Sequence, residues 1–455
     1  MPYEGEFAHY RPLQRIVASE TVRALLGRQR LQTPDTAMIR SQMVPISDIR
    51  PSQWTPDWVL AIDGSHLPVP VRNGFPGAEI GYITVASVLL DIAKIKELDA
   101  NRPVDPREFR STERAESIDS ALPGCNVVID DRGSPIESLR RILFEVFRDA
   151  RMSPEGESLL DTYEALLAYK PEDSREQRCP YHEECLAPEQ LYQRGHGEYA
   201  CPCAHARPLY STDALRIHEG MLPAGSNGAM FAEIMQVWER VWLVHILRTL
   251  EAKGWLSTLR RLAIVIDGPL AVFGHPAWLS QAIHEELIRI NGIATRLNHG
   301  LDLLIIGVEK SGMFVNHLAD LDRAPDGAEG QFPIQTAALL SDPYIKRNII
   351  FSDSHKPYGQ DTYFGRKLFY KTLSGSLIVA TLPFLSSLHR DTSRADPEQY
   401  PRLADAMSIL DQLVSSRFPN SLSPLVAAHA EAAIPLHLGQ RVLEDLARQL
   451  MSEQS

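Results

Sequence analysis

Two apolar runs that each end in Asp-Gly constrain the fold of this 455-residue chain more than any other feature. They are Leu60-Ala61-Ile62-Asp63-Gly64-Ser65 and Leu262-Ala263-Ile264-Val265-Ile266-Asp267-Gly268-Pro269-Leu270, about two hundred residues apart. A run of Val, Ile and Leu without alternation reads as a strand buried on both faces. A carboxylate followed by glycine at its C-terminal end then sits where the chain leaves the sheet and side chains meet water. Asp-Gly alone also makes tight turns, so it is the pairing of the two runs that matters. Two such carboxylates at one sheet edge can share a divalent metal. Length would allow two or three domains. Two related strands so far apart argue instead for one interrupted α/β domain, and 44% hydrophobic content suffices for a large core.

Residues 7 to 30 read as a helix with apolar positions at Leu13, Ile16, Val17, Val22, Leu25 and Leu26, closed by Gly27. A hairpin is expected next, with strands over 58–63 and 80–91 and a loop carrying Pro68 and Pro70. Residues 100–178 are polar and mixed, with helices predicted over 135–150 and 158–169. The clearest helix is predicted over 229–252, closed by Gly254. Its apolar stripe of Ala232, Met235, Leu243, Ile246 and Leu250 is completed by Glu239. A carboxylate in a buried stripe is costly unless paired or metal-bound. That makes Glu239 a better ligand candidate than Glu233 or Glu251, although an ion pair with Arg240 or Arg248 would also satisfy it.

Further on, a helix is predicted over 277–292, strands over 301–310 and 377–384, and a last helix over 438–451. Lys310 ends its strand as the aspartates end theirs. It is placed either to steady a phosphate or a developing charge, or simply to face water. His429, set among alanines, reads by default as a core histidine.

Four of the five cysteines, Cys179, Cys185, Cys201 and Cys203, lie within 25 residues. In a reducing cytosol such a cluster suits a metal better than a pair of disulfides. Thiolates favour structural Zn²⁺, with His182, His196 or His205 able to replace one cysteine. An iron–sulfur cluster uses the same four ligands and stays open.

The IDGS and IDGPL segments are followed by Ile305-Ile306-Gly307-Val308-Glu309-Lys310 and by Pro424-Leu425-Val426-Ala427-Ala428-His429. In order and spacing these resemble the NurA nuclease family, over roughly residues 55–95 and 225–445. The resemblance implies an RNase H-like (PIWI-like) mixed sheet flanked by helices, manganese-dependent DNA cleavage, and a homodimer that docks on a hexameric HerA-type ATPase. It divides the chain into an N-terminal helical segment (1–55), the first half of a nuclease domain (56–100), a cysteine-containing insertion (101–225) and the second half (226–455). It also makes His429 a candidate metal or phosphate contact.

The resulting expectation is that Asp63, Glu239 and Asp267 bind one or two divalent ions, with His429 as fourth member and Lys310 beside them. Oxygen-rich ligand sets favour Mg²⁺ or Mn²⁺, and a histidine leans the choice toward Mn²⁺. The setting would be DNA end processing, in repair or in antiviral defence. Two other readings stay open: a catalytically inactive RNase H-like adaptor for nucleic acid or the ATPase, and an interaction module centred on the cysteines.

A net charge of -12 opposes approach to phosphates. DNA binding then needs a local basic surface or a partner. Between 346 and 371, Lys346, Arg347, Lys356, Arg366, Lys367 and Lys371 outweigh Asp353 and Asp361 for a net of +4. Tyr358, Tyr363, Phe364, Phe369 and Tyr370 lie among them, and cations interleaved with rings are the parts of a single-strand groove. A basic loop leading into an ordinary amphipathic strand has the same composition. No GxxxxGK[ST] or GxGxxG motif occurs, so any motor is another protein. No apolar stretch approaches the roughly 20 residues that span a bilayer, and the N-terminus lacks a basic-then-apolar signal pattern. The chain reads as soluble and cytoplasmic.

Overall fold

A computed structural model describes residues 10–433 apart from 30–34, 50, 51, 53, 72–76, 93–112, 130–132, 171–178, 182–196, 202–205, 324–329 and 415–421. Its strands, in chain order, are β1 (Met43–Pro45), β2 (Trp58–Pro70), β3 (Glu79–Asp91), β4 (Glu113–Pro123), β5 (Glu198–Ala200), β6 (Pro208–Tyr210), β7 (Leu262–Asp267), β8 (Ile305–Glu309), β9 (Thr336–Leu339), β10 (Gly365–Lys371) and β11 (Leu377–Pro383). Nine of them form one mixed sheet in the order β1-β9-β10-β11-β8-β7-β2-β3-β4, and β5 pairs with β6 separately. β2, β3 and β4 are an antiparallel meander. β7 runs parallel to β2 on its other side, and β8 parallel to β7. This β4-β3-β2-β7-β8 order, a meander joined to two parallel strands, is the expected RNase H-like arrangement, extended by the antiparallel β11, β10 and β9.

Strand alternation assigns the two faces. Leu60, Ile62, Ile264, Ile266 and Ile305 pack beneath the helices Pro135–Asp149, Leu159–Leu167, Gly228–Ala252 and Leu279–Leu297. Val59, Ala61, Ala263, Val265, Ile306 and Val308 face the helices Leu403–Leu413 and Ser423–Ala432. Burial on both faces is why β7 carries no polar residue before Asp267. The helix Gly228–Ala252 is likewise buried all round its middle, from Val237 to Leu247. It is therefore a central core helix rather than one with a single apolar stripe.

Several elements differ from the sequence reading. The first strand runs on from Asp63 through Pro68 to Pro70, all paired with β3. The expected insertion also supplies part of the core: β4 pairs along its whole length with β3, and the helix Pro135–Asp149 packs on it. Its polar sequence hid a strand with one face toward solvent. The N-terminal helix is two helices, Arg11–Ala18 and Glu20–Arg28, because Ser19 caps the second through the Val22 amide. Leu13, Ile16, Val17, Leu25 and Leu26 are exposed there. The predicted helix at 438–451 lies outside the described residues. Among the described residues no helix is long and apolar enough to cross a membrane.

Candidate active site

Asp63, midway along β2, meets Asp267 and Lys310 at the C-terminal ends of β7 and β8. The register aligns Ile62 of β2 with Ile266 of β7, and Asp267 with Val308 of β8. Asp63 is therefore level with Asp267. Period-two alternation places both aspartates, and Lys310 just beyond β8, on the face of the helix Ser423–Ala432. The Lys310 ammonium lies 3.0 Å from Asp267 and 3.5 Å from Asp63. From the covering helix, His429 brings Nδ1 to 3.1 Å from Asp63 Oδ2. Its side chain is 59% exposed, so it is not a core histidine but a residue of this open edge.

Glu239 arrives from the opposite face. Gly64 follows Leu60 and Ile62 on the side of the helix Gly228–Ala252, and a Cβ there would lie 2.7 Å from Glu239 Oε1. The first Asp-Gly is thus no turn: its glycine lies within β2 and leaves room for the Glu239 carboxyl against the strand, where Asp63 and Asp267 act on its charge. The second does turn, with Gly268 at φ 77°.

The ion pair with Arg240 that the sequence left open for Glu239 is formed. Arg240, 2% exposed, donates to Glu239 at 3.2 Å and to the carbonyls of Asp267, Pro269 and Ala271 at 3.0, 3.0 and 3.3 Å. One guanidinium fixes both the glutamate and the turn after β7. The available signal was an arginine inside a helix segment apolar on every side, where such a charge needs built partners.

The charges here do not balance within the protein. Burial pushes the Asp63 carboxyl up to about 6, and Asp267 adds to the rise against the pull of Lys310 and His429. Burial pushes Glu239 up to about 8 despite Arg240, with Asp63 and Asp267 adding to it. Burial would lower the Lys310 ammonium, but Asp267 and Asp63 outweigh it and raise its pKa. Among the described residues no three His, Cys, Asp or Glu side chains stand in metal-ligand arrangement. Lys310 lies between the aspartates, and Arg240 pairs with Glu239. The donor set itself, three crowded carboxylates with an imidazole, suits a hard divalent cation.

The other predicted site residues are placed elsewhere. Arg366, Lys367 and Lys371 are buried in β10 rather than lining an open groove. Arg366 donates to the carbonyls of His389, Asp391 and Arg394, Lys367 pairs with Glu309, and Lys371 pairs with Asp322 at 2.7 Å. Lys356 is exposed and paired with Asp361. A count of charges does not show which face they take, and β10 is buried on both. Tyr358 and Tyr363, with Arg366 and Lys367, do border a cavity of about 270 Å³. Of the cysteines, Cys179 and Cys201 are buried together, while Cys185 and Cys203 lie outside the described residues.

A sheet of this order, a meander joined to two parallel strands with helices on both faces, defines an RNase H-like α/β domain. The chain belongs to the NurA domain family, a family of nucleases, whose match spans residues 58–434. Among solved structures it is similar to the NurA nuclease from Sulfolobus solfataricus, with a TM-score of 0.35 and 10% identity over 98% of this chain and 97% of that one. No curated protein matches it.

Proposed function

We propose that the chain is a divalent-metal-dependent DNA nuclease that hydrolyses phosphodiester bonds at Asp63, Glu239 and Asp267, and works as a homodimer with a hexameric HerA-type ATPase in DNA end processing. The observation that supports this reading is that Asp63 and Asp267 share Lys310 on one face of the sheet while Glu239 packs against the side-chain-free Gly64 from the other. These three residues, with His429, would hold Mg²⁺ or Mn²⁺, which supplies an activated water and offsets charge on the leaving oxygen.

The chain's own groups divide the remaining work. Lys310, 31% exposed, is placed to leave one aspartate and donate to a phosphate oxygen. His429 is oriented by Asp63 and open to solvent, where it can carry a proton to or from the reacting phosphate. Arg240 is a positioning residue, since its donors are directed at Glu239 and at backbone carbonyls rather than toward solvent.

Delivery by a partner is supported by charge. The chain carries -12 overall, and the buried cations of β10 are already matched inside the protein. Free DNA is then captured weakly, the more so in salt. Nuclease rates measured with and without a HerA-type ATPase over a salt series test this. The partner should raise the rate, and salt should suppress the isolated protein more than the assembly. Equal rates at every salt concentration would make the enzyme self-sufficient. DNA or ATPase binding without cleavage under Mn²⁺ or Mg²⁺ would instead make the chain an inactive adaptor.

A further inference from the structure

We propose that the Lys310 ammonium stands in for the divalent cation in the metal-free protein, and moves from the aspartates to a DNA phosphate when metal binds. Metal and DNA then bind cooperatively through this one side chain. The proposal rests on the metal-dependent nuclease reading and adds to it how the charges are exchanged. The ammonium lies 3.0 Å from Asp267 Oδ1 and 3.5 Å from Asp63 Oδ2. Asp63 Oδ1 accepts from the Gly64 amide at 2.8 Å, so Oδ2, which also meets His429, is the oxygen left for a cation. Lys310 sets one positive charge against two carboxylates. A second cation brought to the same carboxylates is repelled by it for as long as it stays.

Lys310 differs from the neighbouring cations in what holds it. Its side chain is 31% exposed and stands on the bend between β8 and the helix Met313–Asp322, where Gly312 takes φ 107°. Arg240, by contrast, is buried and held by three backbone carbonyls as well as by Glu239. Lys367 is buried too, paired with Glu309 and packed over the Phe314 and Tyr363 rings. Neither of these can swing away without leaving an interior carboxylate unpaired. An ammonium on a flexible four-carbon stem at an accessible edge turns about its own bonds and stays hydrated. Away from the aspartates it needs an anion, and the reaction brings one in the phosphate of the bound strand. The coupling is reciprocal: if DNA tightens the metal through Lys310, metal tightens DNA by the same factor.

The test is Mn²⁺ binding to the metal-free full-length protein, followed by the electron paramagnetic resonance signal of free Mn²⁺, which reads occupancy and not cleavage. Without DNA, Lys310→Met should bind Mn²⁺ roughly tenfold more tightly than the wild type, because the competing charge is gone. Lys310→Arg, which keeps the charge, should stay near the wild type. A short DNA strand, corrected for the Mn²⁺ that DNA holds alone, should tighten Mn²⁺ binding to the wild type by roughly fivefold or more and leave Lys310→Met nearly unchanged. Lys310→Gln gives the same comparison where the methionine variant folds poorly. Equal or weaker Mn²⁺ binding in Lys310→Met, or a DNA effect that it keeps in full, would overturn the proposal and leave the metal site standing. No Mn²⁺ bound by any of these proteins, or binding that Asp267→Asn retains in full, would overturn the metal-dependent reading and the proposal with it.

Discussion

Glu309 and Lys310 are neighbours in sequence at the end of β8, yet alternation sends them to opposite faces of the sheet and into two different kinds of charge. On one face Glu309 meets Lys367 in a buried pair, with the lysine side chain 2% exposed and its ammonium 4.2 Å from the centre of the Phe314 ring. That pair is self-contained. On the other face Lys310 is shared between two aspartates, with Glu239 behind them and His429 beside them, at an edge open to water. Charge matched one to one in the interior holds strands together, whereas crowded carboxylates with too few cations, at an accessible edge, leave room for a ligand.

Substitutions on either face separate the two kinds of charge. Lys367→Met leaves Glu309 buried and unpaired, and should destabilise the fold by about 3–5 kcal/mol in denaturant unfolding. The folded fraction should keep its activity per molecule. Asp63→Ala or Asp267→Ala should do the reverse. DNA cleavage is expected to fall by at least ~100-fold, about 2.7 kcal/mol in the barrier, with circular dichroism unchanged. Lys310→Met should lower the rate by roughly tenfold with a smaller loss of stability than Lys367→Met, because the lysine is partly exposed, Asp267 still meets solvent and the buried Asp63 can take up a proton. If Lys310→Met unfolds the protein as readily as Lys367→Met, the two faces do not differ as argued.

A further expected effect is in pH dependence. Folding raises Asp63 from 3.8 to about 6 and Glu239 from 4.5 to about 8. The folded state therefore binds protons that the unfolded state has released, and the stability they contribute is present below pH 4 and lost as the pH rises through 6 and then 8. Metal-free protein should melt at progressively lower temperature over that range. Glu239→Gln should flatten the part of the slope between roughly pH 6 and 8 and raise the melting temperature at pH 8. A wild-type melting temperature that climbs from pH 5 to 8 in chelator would mean the carboxylates are compensated after all.

The two regions also differ in how far they could be read from sequence. Asp63 and Asp267 were legible because an apolar run leaves few places for a carboxylate. Glu239 was singled out by an apolar stripe, whereas its helix is buried all round, and what sets it apart in the structure is the missing side chain at Gly64, a contact between elements 175 positions apart. In β10 the reading failed because Arg366, Lys367 and Lys371 have the composition of a DNA groove, while their partners Glu309 and Asp322 lie on distant segments. β4 was missed because an edge strand with polar residues lacks the apolar run that marks an inner one. The RNase H-like order survived these errors, since it depends on the inner strands.

The most direct test of the account is the cleavage of labelled DNA by metal-free protein as Mn²⁺ is added back, run in parallel on the wild type, Asp267→Asn and Lys367→Met. The account predicts saturable Mn²⁺-dependent cleavage in the wild type and in the folded fraction of Lys367→Met, and none in Asp267→Asn. Cleavage that persists in chelator, or that Asp267→Asn retains in full, would contradict it.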